Sequence, residues 1–121
     1  MRVLVVDDAS AIRFMLRILL EDAGMAVEEA GSGDAALTRL SRRRAPRIDA
    51  VILDQRMPDR TGLETAREIV AGGEHPRLFL YTSYLHPVQQ TEAAELGVTT
   101  MVKTDLDELV IALREAGPVA A

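Results

Sequence analysis

Val51-Ile52-Leu53-Asp54-Gln55-Arg56-Met57-Pro58-Asp59-Arg60-Thr61-Gly62-Leu63-Glu64 joins an apolar run to a carboxylate, a loop and the start of a helix. A short apolar run of this kind reads as a strand buried on both faces. Asp54 then falls at the carboxyl end of a central strand, the edge where open α/β sheets place ligands and chemistry. Pro58 fixes one backbone angle in the loop, and Gly62 permits a turn that a side chain would block. Taken alone, the stretch also reads as an ordinary strand-to-helix connection with a solvated aspartate. The segments on either side separate the two readings.

Upstream, Val3-Leu4-Val5-Val6 is a second buried-type strand, and it too ends in acid, Asp7-Asp8. Two adjacent carboxylates after a buried strand are costly unless solvated, paired or bound to a cation. Acids before a helix also favour its positive end, but that role needs only one of them. Residues 9–23 read as a helix closed by Gly24. Ile12, Met15, Leu16, Leu19, Leu20 and Ala23 form its inward stripe. Phe14 and Ile18 lie four apart off that stripe, flanked by Arg13 and Arg17. Residues 25–30 read as an edge strand with Glu28 and Glu29 near its end. Gly31-Ser32-Gly33 is a turn, and residues 34–44 a second helix. The Arg42-Arg43-Arg44 run at its end complements the helix dipole.

Downstream, residues 61–71 form a helix stopped by Gly72-Gly73. Residues 77–82 form a fourth strand ending in Thr82 and Ser83. Pro87 suits the first turn of a helix running to about residue 96, capped by Gly97. Residues 99–102 form a fifth strand ending at Lys103. Thr104 to Glu108 carry N-cap signals for a last helix to about residue 116. Strand and helix alternate throughout, which predicts an α/β fold: a doubly wound, five-stranded parallel sheet with helices on both faces. The order 2-1-3-4-5, the flavodoxin-like order, fits, with its crevice between the first and third strands.

Composition agrees. The chain has 121 residues, 48% hydrophobic, with net charge −5 and no cysteine. That is one domain with a real core, without a disulfide framework or thiolate chemistry. The negative balance excludes a phosphate-backbone binder, and the few aromatics exclude a base-stacking platform. No signal-peptide pattern opens the chain, and no apolar run approaches the ~20 residues of a membrane helix. A cytoplasmic protein is the expectation.

The carboxyl ends of the strands carry the chemistry. The first gives Asp7 and Asp8, the third Asp54, the fourth Thr82, and the fifth Lys103, the only lysine in the chain. Clustered carboxylates raise one another's pKa unless a cation intervenes. Oxygen ligands with open positions suit Mg²⁺, which commonly links protein carboxylates to phosphate. A hydroxyl and an ammonium opposite would hold phosphoryl oxygens, and phosphoryl transfer relies on such positioning and charge neutralisation. Asp54 is then the acceptor, a carboxylate nucleophile forming an acyl phosphate.

With these residues the chain resembles the receiver domain of bacterial two-component response regulators, of the chemotaxis-regulator type. The resemblance spans residues 1–121 as one receiver domain. It rests on Asp7 and Asp8, on Asp54 followed by Met57-Pro58 and Gly62, on Thr82 and on Lys103. It implies that Asp54 is phosphorylated. Asp8 and Asp54 would bind Mg²⁺ directly, Asp7 through water, and Arg56 through its main-chain carbonyl. Thr82 and Lys103 would bind phosphoryl oxygens. The donor would be a histidine of a sensor kinase or phosphotransfer protein, docking on Phe14 and Ile18. The family's proline after the lysine is Thr104 here, and the Lys103–Thr104 bond is expected to be trans. Its alanine after the hydroxyl is Ser83. Its aromatic three residues before the lysine is Thr100, too small to act as the family's switch, which points to Tyr84 instead.

The resulting expectation is a phosphorylatable signalling protein that catalyses only its own phosphoryl transfer and dephosphorylation. Because the sequence stops just after the fifth helix, output would come through contacts with a downstream protein, without nucleic acid or membrane. A degenerate receiver, used as a phosphorylation-independent binding module, is the alternative; intact Asp54 and Lys103 weigh against it. An enzyme or FMN-binding protein on the same sheet ranks last. It would need a glycine-rich first phosphate loop, where Asp7-Asp8 would repel a phosphate.

Overall fold

A computed structural model describes residues 1–103 and 106–117. The elements alternate as expected: β1 (Arg2–Val6), α1 (Ser10–Asp22), β2 (Ala26–Ala30), α2 (Gly33–Leu40), β3 (Ala50–Leu53), α3 (Gly62–Ala71), β4 (Arg77–Thr82), α4 (Pro87–Glu95), β5 (Thr99–Val102) and α5 (Leu106–Ala116). The strands form one parallel sheet in the order β2-β1-β3-β4-β5. The helix-capping signals at Thr104 and Asp105, and the Lys103–Thr104 bond, lie outside the described residues.

Each strand sends alternate side chains to opposite faces, which splits the core in two. Leu4, Val6, Val51, Leu53, Leu78 and Leu80 pack under α2, α3 and α4, against Ala36, Leu63, Ala66, Ile69 and Ala93. Val3, Val5, Ile52, Phe79 and Tyr81 pack on the other face against Leu16 and Leu20 of α1 and Leu109 and Leu113 of α5. All four residues of β3 are buried, as are Val3–Val6 of β1, so their unbroken apolar runs reflect cover on both faces.

Three expectations change. The second helix stops at Leu40, four residues before Arg44. No apolar residue continues its inward stripe past Leu40, and three adjacent guanidiniums would crowd a further turn. Ser41 caps it, donating to the Thr38 carbonyl at 2.7 Å, and the arginine run belongs to the turn that follows. Met15 is exposed, so the inward face of α1 is carried by Leu16 and Leu20. The second strand begins at Ala26, with Met25 buried just before it.

The edge strand β2 is tied to its neighbours through its two glutamates. Glu28 is bonded to Arg2 of β1 and Arg39 of α2. Glu29 receives Arg17 at 2.7 Å and Arg13 at 3.0 Å, both from α1. The Arg17 hydrogen bond, with help from Arg13, holds the Glu29 carboxyl below its ordinary pKa. A depressed carboxyl stabilises the fold above the unfolded pKa and loses that contribution as pH falls through the folded one. Half-exposed pairs of this kind contribute at most about 1 kcal/mol. Glu29→Gln should therefore lower stability in urea at pH 7 by up to about 1 kcal/mol. Wild type and variant should converge toward pH 3, and parallel losses at both pH values would contradict the pairing.

Candidate functional site

The site is built by strand register. Val6 of β1 pairs with Leu53 of β3, so the residues that follow each strand, Asp7 and Asp54, leave the sheet side by side. The Asp54 amide still donates to the Val6 carbonyl at 2.9 Å. Thr82 pairs with Val102, which brings Lys103 just past the end of β5. Asp7 and Asp54 are buried and Asp8 is exposed. One carboxylate oxygen from each of the three lies within 4.8 Å of the others. Lys103 Nζ stands 2.9 Å from Asp54 Oδ1 and 3.4 Å from Asp7 Oδ2.

Desolvation raises the Asp7 carboxyl above its ordinary pKa, and the Asp54 charge adds to it; the Ala9 amide and Lys103 work the other way. Asp7 Oδ1 accepts that Ala9 N–H at 2.9 Å in a turn just before α1, and no side chain caps the first turn of that helix, so the capping role read from the sequence is not filled. Burial disfavours the Lys103 ammonium, but its hydrogen bond to Asp54, with the charges of Asp54 and Asp7, outweighs that and raises its pKa. A lysine so placed stays charged at neutral pH and serves as the fixed counter-ion of the cluster.

The β3–α3 loop is held at many points. Gln55 is buried; its carbonyl accepts the Gly62 amide at 3.1 Å and its Oε1 the Leu63 amide at 3.0 Å. Thr61 and Glu64 form a reciprocal capping box at the start of α3. Asp59 accepts the amides of Gly33 at 3.2 Å and Asp34 at 2.8 Å, tying the loop to α2. Arg60 pairs with Asp34 and Glu68. Gly62 is required because a side chain would block the turn, as read in the sequence, and not because the backbone is left-handed. Its φ is not positive; a Cβ there would collide with the Asp54 carbonyl and lie 2.6 Å from Leu80 Cδ1.

Thr82 is buried at the end of β4, and its hydroxyl donates to the Tyr84 carbonyl at 3.3 Å. Tyr84 is exposed and, with Asp8, Arg56, Met57, Pro58 and Gln89, lines a cleft of about 600 Å³ beside the carboxylates. Thr100 is exposed on β5 and does not line that cleft. Phe14 and Ile18 stand exposed on α1 at 62% and 53%, apart from the cluster. Sequence reasoning thus located the three carboxylates and their cation. It passed over Gln55, Asp59 and Arg60, whose polar side chains look like ordinary loop residues. It read Arg13 only as a flank of the Phe14–Ile18 pair, whereas its guanidinium donates to the Asp7 carbonyl at 2.6 Å.

The response regulator receiver domain family matches residues 3–114. A protein-glutamate methylesterase/protein-glutamine glutaminase of Hahella chejuensis is 37% identical over 105 residues; the match covers 82% of this chain and 29% of that protein. The chain therefore spans under a third of that relative's length. The crystallised chemotaxis protein CheY4 of Vibrio cholerae superposes with a TM-score of 0.84 at 31% identity, covering 95% of this chain and 97% of that one. Response regulator TrrA of Thermotoga maritima, solved in complex with Mg²⁺ and BeF, gives a TM-score of 0.81 at 30% identity, covering 95% and 97%.

The contacts around Gly62 make a paired test. Overpacking a filled site costs about 1–3 kcal/mol, so Gly62→Ala should lower the urea midpoint by that amount. Gly72→Ala is the control. Its φ of −77° is ordinary for alanine, and the nearest atom to a new Cβ is at 3.4 Å. Removing glycine's unfolded-state freedom there should leave stability unchanged or raise it by up to about 1 kcal/mol. Equal effects of the two substitutions would refute the close-approach reading of Gly62.

Proposed function

Since the chain belongs to the response regulator receiver domain family, and so serves two-component signalling, we propose that Asp54 accepts a phosphoryl group from a histidine of a sensor kinase or phosphotransfer protein. One observation carries this: Lys103 Nζ lies 2.9 Å from Asp54 Oδ1, in a cluster whose three carboxylates converge within 4.8 Å. A lone solvated aspartate would need neither the adjacent cation nor the neighbouring acids.

The donor set fits Mg²⁺. It is oxygen-only, more negative than Lys103 can balance, and open toward the cleft on the Asp8 side. Asp8, Asp54 and the Arg56 carbonyl would hold the ion, with Asp7 acting through water. When bound, it supplies neutralising charge for the phosphoryl oxygens. In the transfer, an Asp54 carboxylate oxygen forms the O–P bond as the histidine N–P bond breaks, and the imidazole nitrogen keeps that electron pair. The Lys103 ammonium exchanges part of its contact with Asp54 for a phosphoryl oxygen. Thr82 contributes its hydroxyl proton, which means giving up the Tyr84 carbonyl. Tyr84 and residues 83–87 would then reposition, making this loop, rather than Thr100, the readout. The chain catalyses only its own phosphorylation and dephosphorylation in this reading.

Residues 1–121 act as one receiver unit, working in the cytoplasm. No helix among the described residues is long and apolar enough to cross a membrane. Docking of the donor is assigned to the exposed Phe14 and Ile18 on α1. Arg13 and Arg17 are already held by Glu29, which leaves the apolar pair as the contact. The downstream target is a further protein.

Acetyl phosphate with Mg²⁺ should add one phosphoryl mass to the wild type and none to Asp54→Asn. An unmodified wild type would sink the assignment and favour a phosphorylation-independent binding module. Mg²⁺ alone should raise the melting temperature, since a ligand at a hundredfold its Kd adds about 2.7 kcal/mol. Asp8→Ala should raise the metal-free melting temperature and abolish the Mg²⁺ response. Identical curves in Mg²⁺ and in chelator would remove the metal site from the scheme.

A further inference from the structure

Lys103 must place one ammonium accurately from the residue just past the end of a short, exposed edge strand. Three of the four residues of β5 are exposed, and Met101 is half-buried. Edge strands fray at their ends unless something holds them. What holds Lys103 comes from two consecutive residues of β4. The Lys103 amide donates to the Thr82 carbonyl at 3.0 Å. The Lys103 carbonyl accepts from the Tyr81 hydroxyl at 3.0 Å. Its main chain is therefore gripped on both sides of the α-carbon that carries the side chain to Asp54.

Tyr81 is suited to this by its burial. It is 2% exposed and the largest fully buried side chain among the described residues, packed with Val5, Ile52, Phe79 and Leu109 on the α1–α5 face. A ring fixed in a close-packed core has little rotational freedom, and a buried phenol needs a partner for its polar tip. The sheet alternation sends the Thr82 side chain to the opposite face, toward the site. One residue of the pair thus presents chemistry while the other fixes the lysine that serves it.

We infer that Tyr81 is a positioning residue for phosphoryl transfer: its hydroxyl fixes the Lys103 main chain so that the ammonium meets Asp54. The inference rests on the receiver reading above for its consequence, but its geometry can be tested without phosphorylation. Lys103 is the only lysine in the chain, so protein labelled with ¹³C-lysine gives a single side-chain ε-carbon signal.

Tyr81→Phe keeps the ring in the core and removes only the donor. In the resting protein this signal should shift or broaden, while Mg²⁺ affinity stays at the wild-type value because the carboxylates are untouched. The rate of phosphorylation by acetyl phosphate should fall by roughly ten- to a hundredfold, the scale that a misplaced catalytic group costs. Tyr81→Met serves as a second variant; it fills much of the same volume without a hydroxyl and should slow the reaction similarly. An unchanged lysine signal together with a wild-type rate in folded Tyr81→Phe would overturn the inference. So would a parallel loss of Mg²⁺ affinity and rate, which would mark general disorder of the site. If the wild type takes no phosphoryl group, the receiver assignment fails first. The lysine signal then still decides the geometric part, with an unmoved signal in Tyr81→Phe rejecting it.

Discussion

The contact between Lys103 and Asp54 across the end of the sheet sets the terms for the rest of the molecule. Neighbouring parallel strands are about 4.8 Å apart, and β4 separates β5 from β3. The ammonium must therefore reach across about two strand spacings, near 10 Å. A long, flexible side chain at the end of β5 can do so; a short one cannot. The same contact fixes the levels at which strands end. A one-residue slip of β5 would turn Lys103 to the other face of the sheet, leaving Asp54 and Asp7 buried without a cation. Removing one partner from a buried charge pair is far more damaging than the pair itself is stabilising. Register, strand order and side-chain length are thus coupled through one electrostatic requirement.

The requirement is met at a standing cost. Desolvation pushes the Asp7 carboxyl up even with Lys103 nearby, and one ammonium faces three converging acids. Compensation comes from backbone donors and from a rigid surround. The Ala9 amide serves Asp7, and Arg13 holds the Asp7 carbonyl from α1. Gln55 spends both its main-chain and side-chain oxygens on the first residues of α3, and Asp59 fastens the loop to α2. These contacts do no chemistry, but they prevent the carboxylates from separating to relieve their repulsion. A site strained by like charge and held by its surroundings is ready to gain energy from an added cation.

The fold was legible because its signal is redundant. Every buried strand is a run of mostly apolar residues, aliphatic and β-branched in β1 and β3, leucine and aromatic in β4, and every helix carries a start or stop signal at one end. The site was legible for a narrower reason: an acid, a hydroxyl or an ammonium sits at or just past the end of a strand, where topology leaves little choice of direction. What escaped depends on contacts between segments distant in sequence. Gly62 reads as a turn that a side chain would block, but nothing local shows that the Asp54 carbonyl and Leu80 are what block it. Arg13 and Arg17 flank an exposed apolar pair in the sequence, yet in space they face Glu29. The end of α2 at Leu40 depended on where the inward stripe runs out, which arginine helix propensity alone does not reveal. Tyr81 reads as a core aromatic within an apolar strand, and nothing local marks its hydroxyl as bound for Lys103.

The distribution of burial also determines the side on which this site can influence the surface. β1 and β3 are enclosed on both faces, and their ends are held by Arg13, Gln55 and Asp59. Movement there would open packed core, which costs several kcal/mol per displaced large side chain. The β4–β5 side is different. β5 is largely exposed, α4 buries only Ala93, and Tyr84, Val88 and Val102 stand in solvent. The adjoining loop is anchored by buried Leu85, whose carbonyl accepts from Gln90, but at Tyr84 the Thr82 hydroxyl holds it through one neutral hydrogen bond of 3.3 Å, worth about 1 kcal/mol net. A change of charge at Asp54 worth more than that can redirect the hydroxyl without disturbing the core. Firm anchoring on the acidic side and exposure on the β4–β5 side are what the proposed readout at the loop leading into α4 requires.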